Sequence, residues 1–391
     1  MKNSLSTNSI IPLIASWKEL KDAVRSGLDA GTSFPISVQG LHGSLPAFYI
    51  GEWIKGQKSL LIHNSQYGEK IQGKGRDIII FTATQKDAEE CESDLLTVLG
   101  DEADIYLFPW WGMLPYHPAG KGSAVFGSRA SVLARLTQKN TAAKTRVFIV
   151  SQRALLSPLP DPAYLKKQVF RIRKSQSLNI MELSKRLSDM GYLRVPKVGV
   201  RGEYAIRGEV VDIFMPGEER PDRLVFDFDT VEQIKSFDVE TQSSKENKDS
   251  LLVYPMKEVL WNDELVSKLE SILESQEKGG IVNNFAEYDE MKKKGGRDYS
   301  SAAKVKGTDD GDKTSPFYDK ADEVHLSFTA KAKEEKDRIL TELMVNHESE
   351  GEELFYGVLW DRLYSFVDYI DENDVIFCYD WEEVQQLAYI L

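Results

Sequence analysis

The stretch RGEYAIRGEVVDIFMPGEERPDRLVFDF, from Arg201 to Phe228, carries the clearest structural signal in the chain. Two runs rich in β-branched and aromatic residues flank the segment 216–221, whose proline and glycine content is typical of a turn. The stretch therefore predicts two strands joined by a turn. Arg207 and Arg223 stand inside the predicted strands beside apolar residues, so each must extend to water or meet a carboxylate.

Two kinds of partner remain open for these arginines. They pair inside the chain with Glu203, Glu209 or Asp227, or they face the carboxylates of another protein. The segment Ala163–Arg223 contains 13 Lys/Arg against 8 Asp/Glu, in a chain whose net charge is −13. Such a basic segment indicates a surface for an acidic protein or for phosphates, or an ordinary solvated surface with paired charges.

Composition limits the class of protein. At 391 residues the chain is long enough for two or three domains, and its 41% hydrophobic and 28% charged content is typical of soluble globular proteins. No apolar run approaches the roughly 18 residues of a membrane span, and the N-terminal residues lack the longer apolar core and the small-residue cleavage site that are typical of a signal peptide. Cys91 and Cys378 are isolated thiols, which fits a reducing cytoplasm and excludes a cysteine zinc site. The histidines form no H-x-x-x-H pair, so we expect no metal.

Alternating strand and helix patterns predict an α/β fold with a doubly wound parallel sheet. Continuous apolar runs indicate buried parallel strands, and a threonine before a helical pattern indicates a helix cap. The predicted strands are 77–81, 104–108, 146–150 and 375–378, and the predicted helices are 85–99, which Thr84 caps, and 128–137.

A change of character after Pro162 predicts a second domain inserted into the first. Residues 163–247 are expected to form a small α+β domain with its own core. The polar segment 241–250 is expected to cross back to the first domain, which would then consist of residues 1–162 and 248–391. A segment at about 292–315, rich in Lys, Gly, Asp and Ser, is expected to be a flexible insertion.

The first domain has the order of elements of a nucleotide-binding fold. A strand at 35–39 is expected to precede a glycine loop and a helix. Gly40, Gly43 and Ser44 occupy the place of a phosphate loop, but this loop has no lysine and no Lys-Ser/Thr pair, so the cation and the hydroxyl that binds Mg²⁺ are both missing. A second candidate, 68–75, fits G-x-x-x-x-G-K but ends in glycine and precedes a strand. We therefore predict a degenerate P-loop-type domain without a nucleotide cofactor.

An aromatic stretch, Phe108–His117, follows the second predicted strand. Its rings either stack on nucleic-acid bases or pack a structured loop against the sheet. No basic residue is interleaved before Lys121, which favours packing.

Several of these stretches resemble the N-terminal, UvrB-homologous module of transcription-repair coupling factors. The most specific is G-E-Y-x-x-R-G followed by a second arginine, which the excision-repair helicase UvrB shares. The matching stretches, in the order of the family, are 108–116, Ser128-Arg129, Gly191-Tyr192, 202–208, 211–214, 221–224, 234–239 and 355–360.

The resemblance implies a non-catalytic module that binds UvrA and recruits it to stalled RNA polymerase. In this family a split first domain and a small second domain imitate the UvrA-binding part of UvrB, and the ATPase motifs are degenerate. Carried over by position, Arg207 and Arg223 match the arginines that contact UvrA. Phe226 falls in the aromatic pair after the second arginine, Asp227 replaces the other aromatic residue, and Phe228 is expected to share the face of Phe226.

The family's translocase and polymerase-binding domains, through which it reaches RNA polymerase and DNA, would lie beyond Leu391. The chain is therefore expected to be one part of a longer cytoplasmic bacterial protein. Two other classes compete with this interpretation. An ATP-dependent DNA helicase or nuclease subunit requires a nucleotide site, and a direct DNA-binding module requires an affinity that falls steeply with salt.

Overall fold

The computed structural model describes residues 17–29, 37–66, 76–112, 124–140, 144–279 and 333–388. The chain divides into two compact units, Met1–Leu260 with Arg362–Leu391 and Trp261–Asp361. The glycine segment 68–75 and the insertion 292–315 lie outside the described residues. Within the described ranges no helix is both long enough and apolar enough to cross a membrane.

Helices and strands alternate at first, and strands predominate between residues 170 and 253. The helices are α1 (Lys18–Asp29), α2 (Leu45–Gln66), α3 (Gln85–Leu99), α4 (Ala124–Leu136), α5 (Gln152–Leu155), α6 (Pro162–Gln168), α7 (Ile180–Asp189), α8 (Asp263–Gly279), α9 (333–346) and α10 (Trp381–Ala388). The strands are β1 (Ile78–Thr82), β2 (Ala103–Phe108), β3 (Thr145–Ser151), β4 (Phe170–Arg173), β5 (Leu193–Arg194), β6 (Glu203–Arg207), β7 (Val210–Ile213), β8 (Asp222–Asp227), β9 (Thr230–Phe237), β10 (Ser244–Lys248), β11 (Ser250–Val253) and β12 (Val375–Cys378). Short 3₁₀ helices lie at Gly100–Glu102, Glu352–Val358 and Phe366–Tyr369.

The first sheet is parallel throughout, with the strand order β12-β1-β3-β2. Successive side chains of a strand point to opposite faces. Ile78 and Ile80 accordingly belong to the core that includes α2 and α3, whereas Ile79 belongs to the core that includes α4. Both faces of the sheet are covered, as parallel sheets require. The predicted α/β class with a parallel sheet is confirmed, and its assignment as a split P-loop-type domain stays a prediction.

Helix α3 begins and ends where the sequence predicts. The Thr84 side chain accepts a hydrogen bond from the Asp87 amide at 3.2 Å, and the Asp87 carboxylate accepts one from the Thr84 amide at 3.0 Å. This reciprocal cap satisfies two amides that the helix itself leaves unpaired, a contribution of about 1 kcal/mol.

The strand predicted at 35–39 is wrong for the residues that the structure describes. Residues 37–39 have no regular structure, and Val38 is 38% exposed. Strand β1 pairs with β3 on one side and with β12 on the other, so neither side of β1 is left for this segment to pair with.

The second sheet has the order β10-β9-β8-β7-β6-β5, and its strands are antiparallel except for the pair β5–β6. The stretch 201–228 therefore contributes three strands rather than the predicted two. The additional turn lies between Arg207 and Val210, which are paired residues of β6 and β7. Gly208 adopts φ +60° there, a conformation that glycine takes without steric cost and that a two-residue hairpin loop requires.

The sequence predicts that the segment 241–250 only crosses back to the first domain, but part of it forms a strand. Residues Ser244–Lys248 form β10, the edge strand of the second sheet. The charged and polar composition that suggested a connection is also typical of a solvent-exposed edge strand. The chain then enters β11, which pairs with β4 as a separate two-stranded ribbon.

The buried side chains of the second sheet are continuous with those of one face of the parallel sheet. A single cluster contains Ile79, Phe148, Tyr204, Leu224 and Val231. The inner face of the second sheet is therefore buried in a cluster that it shares with the parallel sheet, whereas a smaller cluster of Val198, Ala205 and Phe214 lies within residues 163–247 alone. A core of the small domain's own is thus present only as this smaller cluster. The domain boundaries near residues 162 and 247 stay predictions.

The loop between β7 and β8 packs closely on helix α4. A Cβ atom on Gly217 would overlap the Ser131 side chain, so the close approach depends on glycine. Arg135 of α4 also forms an ion pair with Glu218 of the loop. These contacts fix the second sheet against the helix that covers the parallel sheet.

The unit Trp261–Asp361 contains α8, α9 and the 3₁₀ helix Glu352–Val358. Among the described residues of this unit, Leu269, Leu343, Tyr356 and Leu359 are fully buried. The Tyr356 hydroxyl donates to the buried Glu352 carboxylate at 2.9 Å, so this buried carboxylate has a hydrogen-bond partner.

Candidate functional site

Two arginines lie on the outward face of the second sheet, the side opposite its core. Inward positions are occupied by Tyr204, Ile206, Val211, Ile213 and Leu224. Alternation along β6, β7 and β8 then places Arg207, Asp212 and Arg223 outward, and the strand register sets Asp212 opposite Arg223. We call the surface formed by Arg207, Asp212 and Arg223 the arginine face.

One carboxylate holds both guanidinium groups of this face. Asp212 is 1% exposed, and it accepts hydrogen bonds from Arg223 Nε at 2.7 Å and from Arg223 Nη2 at 2.9 Å. Arg207 Nη2 donates to the same carboxylate. Two cations thus share one buried anion, so the arginine face keeps one positive charge in excess.

The two arginines differ in how firmly they are held. Arg223 Nη2 also donates to Gln242 Oε1 at 3.2 Å, and its guanidinium carbon lies 4.3 Å from the centre of the Phe237 ring. The hydrogen bond with Asp212 raises the pKa of Arg223, although burial opposes this shift. The Arg223 side chain is 19% exposed and that of Arg207 is 45% exposed. Arg207 therefore presents more of its guanidinium to solvent.

The internal partner of the arginines differs from those suggested by sequence spacing, which were Glu203, Glu209 and Asp227. The missed turn at Gly208 explains the difference, because it makes β7 a separate strand and brings Asp212 opposite Arg223. A glycine followed by one polar residue between two apolar runs is the signal that indicates this turn. Both arginine side chains stay partly exposed despite this internal pairing. Their role in binding a partner stays a prediction.

The residues after Arg223 do not share one face, and this expectation is wrong. Phe226 is 2% exposed and belongs to the core, whereas Phe228 is 82% exposed. The register of β8 with β9 shifts between Val225 and Phe226, and Phe228 lies in the following turn with φ +51°. Asp227 is exposed at the end of the strand. Phe228 rather than Phe226 therefore presents its ring to solvent.

The glycine loop of the first domain lies directly before α2. Gly40 and Gly43 adopt φ +82° and +59°, and the Ser44 carbonyl accepts a hydrogen bond from the Ala47 amide at 3.1 Å. The assignment of this loop as a degenerate phosphate site stays a prediction. The part of the chain that the structure describes groups no three His, Cys, Asp or Glu residues in a way that could hold a metal ion.

The described part of the aromatic stretch packs within the chain, as one of its two interpretations predicts. The guanidinium carbon of Arg129 lies 4.1 Å from the ring centre of Phe108 and 4.2 Å from that of Trp111. The Trp110 amide donates to Gln85 Oε1 at 3.2 Å. These contacts hold the stretch at the carboxyl end of β2, and residues 113–117 lie outside the described ranges.

The titratable side chain of Asp222 lies on the side of the second sheet opposite the arginine face. Asp222 precedes Arg223 but points inward and is completely buried, with one carboxylate oxygen 2.7 Å from Lys248 Nζ. Burial raises the pKa of Asp222 from 3.8 to about 6, Lys248 opposes the shift, and Glu218 and Glu246 add to it. The folded state therefore binds this proton more tightly than the unfolded state does.

We predict that Asp222 makes stability depend on pH. Its contribution to the free energy of unfolding is present at acid pH and is lost as pH rises through about 6. The free energy of unfolding of the wild type, minus that of Asp222→Asn, should fall by roughly 2–3 kcal/mol between about pH 4 and pH 7. Urea denaturation of both proteins at the two pH values measures this difference. An unchanged difference would show that the pKa of Asp222 is not raised.

A family model matches the residues that form the second sheet. Residues 170–259 match the family model of the UvrB interaction domain, a range that includes β4 to β11 and the whole arginine face. The chain is 28% identical to the transcription-repair-coupling factor of Borreliella burgdorferi, over 55% of this chain and 19% of that protein. The corresponding protein of Rickettsia bellii is 30% identical over 50% of this chain and 17% of its own length.

A third relative is the transcription-repair-coupling factor of Haemophilus influenzae, which is 34% identical over 41% of this chain and 14% of its own length. The chain thus spans less than a fifth of the length of these relatives. The resemblance seen in the motifs is confirmed: residues 170–259 match the UvrB interaction domain, and about half of the chain is similar to transcription-repair coupling factors.

Proposed function

We propose that this chain is a non-catalytic module of a transcription-repair coupling factor, which recruits UvrA to stalled RNA polymerase in the bacterial cytoplasm. One observation carries the proposal. The range that matches the UvrB interaction domain presents Arg207 and Arg223 side by side on a partly exposed face. The names of the relatives support a role that joins transcription to repair.

The arginine face has the donors that such a contact needs. Arg207 Nε and Nη1 and Arg223 Nη1 make no hydrogen bond to any residue that the structure describes. Guanidinium groups bind carboxylates through paired, charge-assisted hydrogen bonds. Asp212 already fixes both side chains, which lowers the entropy that binding has to remove. The ring of Phe228, which is 82% exposed directly after β8, adds exposed apolar area.

The same proposal assigns no reaction to this chain. The loop at Gly40–Ser44 has no lysine and therefore no Lys-Ser/Thr pair of a working phosphate loop. Contacts with RNA polymerase and DNA would belong to other domains of the longer family proteins, since this chain corresponds to less than a fifth of its relatives.

Removal of either arginine is expected to weaken binding of purified UvrA. Arg207→Ala and Arg223→Ala should each raise Kd about tenfold, which is the typical effect of an interface arginine. Arg173→Ala is the matched control, because Arg173 is an exposed arginine of the same matched range that lies on β4 rather than on the arginine face. Isothermal titration calorimetry of the full chain with UvrA measures all four proteins.

Two results would contradict the proposal in different ways. Wild-type chain that does not bind UvrA would refute the function itself. Wild-type chain that binds, together with arginine variants whose Kd values stay within about twofold of it, would refute the site while leaving the function in place.

A further inference from the structure

A third cation lies beside the arginine face. The register of β8 and β9 sets Lys235 opposite Arg223, which itself lies opposite Asp212. Directly opposed residues of neighbouring strands project from the same side of a sheet. Asp212, Arg223 and Lys235 therefore form one outward row across three strands. On its other side Lys235 lies opposite Asn247 of β10.

Lys235 has no carboxylate partner among the residues that the structure describes. Both oxygens of Asp212 accept hydrogen bonds from Arg223, and one of them also accepts from Arg207. The neighbour on the far side, Asn247, is a neutral amide. Like charges that oppose each other directly across a sheet are unfavourable. The surface thus carries three cations and one anion, an arrangement that an added anionic group would stabilise.

The geometry holds Arg223 in place. Its guanidinium is fixed by hydrogen bonds with Asp212 and Gln242. Gln242 is itself fixed, since its side chain donates to the Val239 carbonyl at 2.8 Å. Lys235 is partly exposed, so its ammonium group can be reached from solvent. Carboxylates can therefore bind to the row without rearrangement of Arg223.

Acidic residues around the row select the class of partner. Glu209, Asp227 and Glu232 are exposed at the turns and the strand irregularity that border it. A nucleic-acid backbone carries charge along its whole length and would approach these carboxylates. A folded protein can instead place individual carboxylates on the cations alone.

We propose that Lys235 is a further contact residue of the arginine face, and that the face binds an acidic protein surface with at least two carboxylates. This inference rests on the proposed function, because it names the chemistry that UvrA would present to this same site. It adds a residue from β9 to a site that the sequence confined to the stretch 201–228.

The test measures UvrA binding by the full chain with Lys235→Ala and Lys235→Glu. Kd should rise about threefold for the alanine variant and about thirtyfold for the glutamate variant, mainly through a slower association rate. The effect of Lys235→Glu should shrink as salt is raised, because screening weakens exposed charges. Lys185→Glu is the control, because it changes the net charge by the same amount. Lys185 is exposed on α7, away from the row. Melting temperatures of the variants confirm that each is folded.

The outcomes separate the inference from the function on which it rests. If UvrA binds the wild type and Arg223→Ala weakens the complex, but Lys235→Glu binds as tightly as Lys185→Glu, the inference is wrong and the proposed function stands. If UvrA does not bind the wild type, both fail. A parallel titration with a DNA duplex at physiological salt tests the class of partner. Tight DNA binding that Lys235→Glu abolishes would overturn the assignment to an acidic protein.

Discussion

Replacement of Asp212 by alanine is expected to weaken UvrA binding about a hundredfold, more than the loss of either arginine alone. The buried Asp212 carboxylate fixes Arg207 and Arg223 together. Without it both guanidinium groups keep their charge but lose their common anchor, so binding must order two long side chains. That ordering costs about 0.5–1.5 kcal/mol for each side chain, and the geometry of the paired donors is lost as well.

The Asp212→Ala variant distinguishes geometry from charge. Removal of the carboxylate makes the face more positive by one unit, so attraction at long range increases. A contact governed by charge alone therefore predicts faster association and tighter binding. A contact that depends on fixed guanidinium groups predicts an unchanged or slightly faster association rate and a much faster dissociation rate. We expect the second result.

Surface plasmon resonance with immobilised UvrA measures both rates. Asp249→Ala is the matched control, because Asp249 is an exposed carboxylate of the same matched range outside the arginine face. Asp212→Asn, which keeps the shape of the side chain, should lie between the wild type and Asp212→Ala. Tighter binding by Asp212→Ala than by the wild type would show that the face acts through its net charge only.

The parallel sheet could be predicted because its signals are local. Continuous apolar runs mark β1 and β3, and the Thr84–Asp87 cap sets the start of α3. The strand Val375–Cys378 was predicted with its observed bounds. In each case the residues that determine the element lie within it or directly beside it, so no knowledge of distant contacts is required.

The arginine face could be predicted only in part, because its geometry depends on pairing between strands. The sequence indicates that Arg207 and Arg223 need a partner, but Asp212 becomes that partner only through the register of three strands. The separation of Phe226 from Phe228 depends in the same way on a register shift in β8 and β9. A one-residue shift moves side chains to the other face of a sheet, and no local pattern in this stretch indicates where it occurs.

Arg129→Ala is expected to lower the free energy of unfolding by about 3–5 kcal/mol, the largest effect on stability that we predict. Arg129 and Glu258 form an ion pair in which both side chains are fully buried. Arg129 Nη1 also donates to the Pro109 carbonyl at 2.8 Å, and the guanidinium lies between the rings of Phe108 and Trp111. Loss of the arginine leaves the Glu258 charge buried without its main partner and opens a cavity beside two aromatic rings.

Urea denaturation of Arg129→Ala against the wild type measures this loss. The control is Arg153→Ala, because Arg153 is an exposed arginine whose guanidinium lies 5.0 Å from the Trp110 ring centre. An exposed contact of this kind contributes about 0.5–1 kcal/mol. A loss of less than about 1 kcal/mol for Arg129→Ala would mean that the Glu258 carboxyl is readily protonated or solvated, contrary to the buried ion pair.

A double replacement tests whether the buried Arg129–Glu258 ion pair orients the second sheet or only packs the aromatic stretch. Arg129→Met with Glu258→Leu removes both charges and keeps much of the volume, so most of the lost stability should return. Arg129 lies on α4. Ser131 of the same helix packs against Gly217 in the loop between β7 and β8. If the double variant is stable yet binds UvrA more weakly than the wild type, the ion pair serves to orient the second sheet on α4. If its affinity is unchanged, the pair serves the packing of the aromatic stretch alone. We expect unchanged affinity, because the Gly217 loop and the Arg135–Glu218 ion pair still fix the second sheet on α4.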